Sequence, residues 1–210
     1  MLRLLLPTLS LLMVLCQSST YASSQQAKNV RLDPLLERVG VSLQAHLALV
    51  EQLHLDQDTL LALGSAAGDD LQPIFVATSN NYRHSVEAAV SVTSAIAGVH
   101  QTAITLFESW RDEIGYLTDA RLKADNEAQF AASWQRYEEL IQPLKQSEAM
   151  IDPVLTELRK FSIHFKYALD EPSVASRKTE LSDTDNNIEA LINALTASAV
   201  KSKAFLESTQ

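Results

Sequence analysis

The chain has 210 residues, with 26 acidic against 17 basic side chains, a net charge of −9 and one cysteine. It has no run of Lys and Arg to serve as the basic footprint of a nucleic-acid binder, and its acidity disfavours a basic amphipathic helix on anionic lipid. Only five glycines among abundant Ala, Leu, Glu and Gln point to helix throughout.

The chain opens on Met1-Leu2-Arg3, followed by the stretch Leu4–Leu15, apolar apart from Pro7, Thr8 and Ser10. Polar Gln17-Ser18-Ser19 and the small-residue site Thr20-Tyr21-Ala22 come next, in the order of a secretory signal peptide. About a dozen apolar residues fall short of the roughly 20 that span a bilayer as a helix. The expectation is export to the periplasm, with cleavage after Ala22 and residues 1–22 left out of the fold. A second reading makes Cys16 the lipidation site of a membrane-anchored lipoprotein, although Leu15 stands where that processing wants a small residue. Cleavage after Ala22 would leave no cysteine, so neither a disulfide nor a thiol nucleophile, and losing Arg3 would take the net charge from −9 to −10. Residues 23–32 read as a flexible polar leader and 33–210 as a single helical domain.

The first helix, expected over 33–63, begins at the N-cap and first-turn proline Asp33-Pro34 and stops near Gly64. Its apolar stripe runs through Leu36, Val39, Leu43, Val50, Leu53 and Leu60. A second helix over 70–118 carries Phe75, Tyr82, Ala89, Ile96, Ala103, Trp110 and Leu117 at intervals of seven. The third, over 126–169, repeats the interval with Phe130, Tyr137, Leu144, Ile151, Leu158 and Phe165, and holds Pro143 and Pro153 in its interior as a hinge or a static kink. A fourth spans 172–208 with Val174, Leu181, Ile188, Leu195 and Leu206. Heptads sustained this long require supercoiled packing, and short connections force antiparallel neighbours. The fold expected is therefore all-α: an elongated up-and-down four-helix bundle with a long central hairpin.

Helix lengths suggest that this hairpin projects past both flanking helices by about 15–20 Å. Folding it about Leu122 sets Trp110 level with Trp134, Phe107 with Tyr137 and Ile114 with Phe130. Its tip offers Asp119, Arg121, Lys123 and Asp125 as candidate partner contacts.

Catalytic constellations are absent from the sequence. Glu51-Gln52-Leu53-His54 has the Glu-x-x-His spacing of bundle di-metal sites, but no second copy accompanies it. His46 shares a stripe with Val39 and Leu53 and reads as a hydrogen-bonded core histidine, and His100 reads the same way. His54-Leu55-Asp56-Gln57-Asp58 reads as a solvated helix end, and Asp112-Glu113, Glu138-Glu139 and Asp183-Thr184-Asp185 as solvated faces. No serine sits in a Gly-x-Ser-x-Gly setting and no glycine-rich loop cradles a phosphate. No catalytic residue, cofactor or metal ligand is assigned.

Four stretches together resemble a bacterial family of small exported proteins labelled only as a domain of unknown function. They are Glu37-Arg38-Val39-Gly40-Val41, Leu106-Phe107-Glu108-Ser109-Trp110, Arg136-Tyr137-Glu138-Glu139-Leu140-Ile141 and Asp152-Pro153-Val154-Leu155, and the likeness covers roughly residues 35–208. The resemblance implies a helical coiled-coil protein, often a lipoprotein with a cysteine placed like Cys16. Where the family usually has a basic stretch after the Val-Gly pair, this chain has Ser42-Leu43-Gln44. The resulting expectation is a non-enzymatic envelope scaffold or adaptor that contacts an envelope protein or a second copy of itself. The alternative is a binding module holding an apolar or metal ligand within the bundle.

Overall fold

The structure is a computed structural model that describes the backbone of residues 11–209 and the side chains of residues 31–209. Within the expected signal peptide, residues 1–10 lie outside the described residues, and Cys16 and Ala22 lie outside the described side chains. Every described element is helical: α1 Leu11–Ser65, a single 3-10 turn Gly68–Asp70, α2 Leu71–Tyr116, α3 Ala120–Tyr167, a short α4 Glu171–Ser176 and α5 Lys178–Glu207. α1 packs on α2 and α5, and α3 packs on α2 and α5. Cross-links between neighbours pair early residues with late ones, as in Arg31 with Glu113, Gln52 with Asn81, His100 with Tyr137 and Asn187 with Glu157, so each of these neighbours runs antiparallel.

In α1 and α3 burial follows an alternation of three and four residues, the seam of knobs-into-holes packing. In α1 the buried positions are Leu32, Leu35, Val39, Ser42, His46, Leu49, Leu53, Asp56, Leu60 and Leu63. In α3 the seam runs Ser133, Tyr137, Leu140, Leu144, Ser147, Ile151, Val154, Leu158, Phe161 and Phe165. The third-helix heptads are thus in the core from Tyr137 onward, with Phe130 packed at its edge. In α1, Val39, Leu53 and Leu60 lie on the buried seam as expected, while Leu36, Leu43 and Val50 are only partly buried one position off it, because polar Ser42 and Asp56 hold seam positions that an apolar pattern passes over.

Element ends depart from expectation in three places. α1 does not begin at Asp33-Pro34; the helix runs through Pro34, and the backbone of the expected leader 23–32 belongs to it. Pro34 forgoes only one ladder bond, and Leu32 and Leu35 on either side anchor the helix in the core. The hairpin reverses over Leu117–Asp119, four residues before Leu122, because Asp119 caps α3 with one carboxylate oxygen, accepting the N–H groups of Arg121 and Leu122 at 2.9 Å each. The expected fourth helix is broken at Arg177 between α4 and α5, and Asp170 caps α4 by accepting from the Ser173 N–H at 2.7 Å. Hydrogen bonding from Ser173, its side chain first and its backbone N–H second, holds the Asp170 carboxyl below the usual carboxylate range.

Pro143 and Pro153 lie within an unbroken α3. At the α1–α2 turn Gly68 adopts φ +57°, a left-handed conformation that favours glycine, and its N–H donates to Glu171 Oε1 at 2.8 Å. By length and composition the stretch Gly68–Tyr116 is apolar enough to cross a membrane, with a mean hydropathy of 1.3 in its best window. Here its apolar positions Ala89, Val92, Ile96 and Val99 are buried in the protein core.

Candidate functional sites

The hairpin tip carries the four residues expected to meet a partner. Near its C-terminus α5 shares a groove with Arg136, Glu139 and Leu140 of α3, lined on its own side by Lys201, Phe205 and Ser208. From Ala120 to about residue 135, α3 therefore runs past α5, roughly 24 Å at 1.5 Å per residue. The expectation that the hairpin outreaches both flanking helices holds for α5 only: Arg31 of α1 pairs with Glu113, three residues before α2 ends at Tyr116, and the α1 backbone continues N-terminal of Arg31, so α1 does not stop short of the tip. Arg121 and Asp125 are exposed and Lys123 is partly so, whereas the Asp119 carboxylate is committed to the cap. Tyr116, 86% exposed, and Leu122, 50% exposed, add an apolar surface that heptad reading missed. The signal was available: both residues fall off the seam at the end of their helices.

Below the tip an aromatic layer fills the space between α2 and α3. Phe107 meets Trp134 at 5.1 Å, Phe130 at 5.6 Å and Tyr137 at 5.8 Å between ring centroids. Trp110 meets Phe130 at 5.7 Å rather than Trp134, because the earlier reversal sets each α3 residue further from the tip relative to α2, bringing Trp134 level with Phe107. His100 Nδ1 and the Tyr137 hydroxyl are 2.6 Å apart, and burial, aided by the Glu138 charge, pushes the Tyr137 hydroxyl up to about 12.

A second polar set lies inside the core. His46 Nδ1 is 2.7 Å from the Ser42 carbonyl, which can only accept, so Nδ1 carries the proton. Burial lowers the imidazole pKa against the raising effect of that bond. Nε2 faces Ser147 Oγ at 3.5 Å, Ser147 donates to the Leu144 carbonyl at 2.9 Å, and Ser198 Oγ reaches the Pro143 carbonyl at 2.8 Å. Ser198 thus ties α5 to α3 through the Pro143 carbonyl and Ser147 Oγ, and the imidazole of His46 on α1 packs beside them. A serine thus sits beside a histidine, and both are fully buried.

Asp56 is likewise fully buried, which corrects its reading as part of a solvated helix end. Ser85 Oγ of α2 donates to Oδ2, while Oδ1 has no partner. Burial raises the carboxyl to about 6, against the lowering effect of the Ser85 bond. Glu51 and His54 are exposed, and among the described residues no group of three His, Cys, Asp or Glu side chains could hold a metal ion.

Between α1 and α2 lies a groove of about 420 Å³ lined by Arg31, Gln101, Thr105, Ser109, Trp110 and Glu113, among others. Arg31 Nη2 donates to Glu113 Oε2 at 2.7 Å, and the guanidinium lies 4.8 Å from the centre of the Trp110 ring. Arg31 Nη1 and Trp110 Nε1 are both shielded from solvent and without a hydrogen-bond partner among the described residues. Sequence reading placed Trp110 in the core and did not single out Arg31, because the pair is formed only by the register of α1 on α2.

A family model described as Protein of unknown function (DUF2959) matches residues 21–209. No curated protein and no solved structure matches the chain.

Proposed function

The chain belongs to the DUF2959 family, and we propose that it is a non-enzymatic, exported bacterial envelope protein acting as a helical scaffold or adaptor through protein–protein contacts. In this reading the four antiparallel contacts make an elongated up-and-down four-helix bundle, and the α2–α3 hairpin tip is the contact surface. Export rests on the charged, apolar, small-residue order of residues 1–22. Lipidation at Cys16 is the variant of this reading that would tie the protein to a membrane.

The tip is the observation that carries the proposal. It runs past α5, exposes Tyr116 and Leu122, and sets Arg121, Lys123 and Asp125 beside them with no ion pair to one another among the described residues. Exposed apolar side chains framed by charge are the usual composition of a contact surface. Arg121→Glu should abolish co-purification of the partner while leaving the melting temperature unchanged; retained co-purification would remove the tip from the interface. An apolar ligand within the bundle has less support, since the aromatic layer around Phe107 is filled by its own rings.

A further inference from the structure

We propose that the start of α3 pairs antiparallel with the same stretch of a second copy of the chain, about a two-fold axis at Ala124. The inference deepens the tip reading and rests on it, naming a second copy as one partner of that surface.

The order of charges along the tip carries it. Basic Arg121 and Lys123 stand before Ala124, and acidic Asp125 and Glu127 stand after it at matching intervals. In a two-fold contact between antiparallel helices, residues equally far from the axis on opposite sides come level. Arg121 of one copy then falls level with Glu127 of the other and Lys123 with Asp125, while Ala120 meets Ala128 and Ala124 meets its own copy. A parallel pairing would set like charges against like. With a net charge of −9, two copies of the chain repel one another, whereas these four charges sum to zero.

Within one copy this pattern goes unused. Arg121, Asp125 and Glu127 are exposed and Lys123 is partly so. None of the four forms an ion pair among the described residues, although Arg121 and Asp125, like Lys123 and Glu127, stand four apart on one helix. Ala120, Ala124 and Ala128 are exposed as well, and side chains this small let two helices approach closely. Room is available too. The paired stretch 119–129 needs about 15 Å of α3, and the groove shared by α5 and Arg136 places the end of α5 beyond it. A contact of this length falls below the roughly 1,200 Å² of a standard interface, and its charges are exposed, so the pairing is weak and salt-sensitive. Unpaired tips therefore remain available to a different protein.

The test uses the purified full chain carrying Cys16→Ser, so that an introduced cysteine is the only one. Under mild oxidation Ala124→Cys, on the axis, should form a disulfide-linked dimer, whereas Ala131→Cys, an exposed alanine two turns further along α3, should not. Sedimentation equilibrium at about 0.5 mM should show self-association that weakens at least about tenfold in about 1 M NaCl, where the screening length is about 3 Å. The double variants Arg121→Glu with Lys123→Glu, and Asp125→Lys with Glu127→Lys, should each be monomeric alone and associate when mixed, with helix content unchanged. Equal cross-linking from positions 124 and 131, a monomeric parent chain at that concentration, or association that charge reversal leaves unchanged overturns the pairing. These measurements need no other protein. A monomeric chain that still captures a different protein through Arg121 overturns the second copy and leaves the tip reading standing.

Discussion

Asp56 and Ser85 meet across the α1–α2 seam in full burial: the serine hydroxyl donates to Oδ2, and Oδ1 is left without a partner. A carboxylate so placed is costly to ionise, and the Asp56 carboxyl is raised to about 6 from the ordinary 3.8. The folded state therefore keeps a proton that the unfolded chain has lost. Asp56 contributes stability that is fully present below about pH 4 and lost as pH rises through about 6. Relative to the wild type, Asp56→Asn should be more stable at pH 7.5 than at pH 4, by on the order of 2–3 kcal/mol. Urea denaturation at the two pH values measures this, and parallel pH profiles for the two proteins would contradict it.

His46 acts in the opposite sense. Burial lowers its pKa from the ordinary 6.5, so the unfolded chain takes up a proton before the folded protein does. Its contribution is present above pH 6.5 and lost as pH falls toward the folded value. Between about pH 4 and 6.5 the two residues offset one another, which gives the wild type a flatter profile than either variant. His46→Gln should remove the loss on the acid side and leave the decline caused by Asp56; denaturation midpoints across that range would show it.

The aromatic layer is the packing centre of the hairpin. Phe107 is almost fully buried and touches Trp110, Phe130, Trp134 and Tyr137. Phe107→Ala should cost about 3–5 kcal/mol and diminish the near-ultraviolet dichroism of the neighbouring tryptophans. A loss below about 1 kcal/mol would mean that the rings do not pack as a unit.

The tip depends on one cap. Asp119→Ala removes the acceptor for the Arg121 and Leu122 N–H groups and should cost about 0.5–2 kcal/mol. Amide exchange would speed up in the first turn of α3 and remain unchanged near Ser147. Unaltered exchange at residues 121–123 would show that the cap does not hold the turn.

Much of the helical pattern was legible in the sequence, because a seven-residue interval is visible whenever seam positions are apolar. It failed where polar side chains hold those positions: Ser42 and Asp56 in α1, Ser85 in α2 and Ser147 in α3, whereas the spacing of His46 from Val39 and Leu53 already sets it in the core. A pattern of apolar residues alone shifts the α1 stripe toward Leu36 and Val50, whereas the alternation of three and four through His46 and Asp56 finds Leu35 and Leu49. Ends were the other weakness. Pro34 looked like a start because a first-turn proline is common there, yet a long helix absorbs one missing bond. The reversal at Leu117–Asp119 was hidden because the residues that follow have no apolar period, although Asp119 itself is a cap signal. The groove at Arg31 and Trp110 was not legible at all, since it depends on how α1 slides along α2.

Processing of the leader has a direct readout. The intact mass of the protein from its native cell should correspond to a chain starting at Ser23. A mass corresponding to an acylated Cys16 would replace cleavage after Ala22 with lipidation and place the protein on a membrane.

The adaptor reading is tested most directly by site-specific photo-crosslinking from position 121 in the native cell. The account expects a discrete heavier adduct that mass spectrometry resolves into another envelope protein, lost when the probe is moved to the partly buried position 150 within α3. No adduct from position 121, with the protein folded and exported, would contradict it.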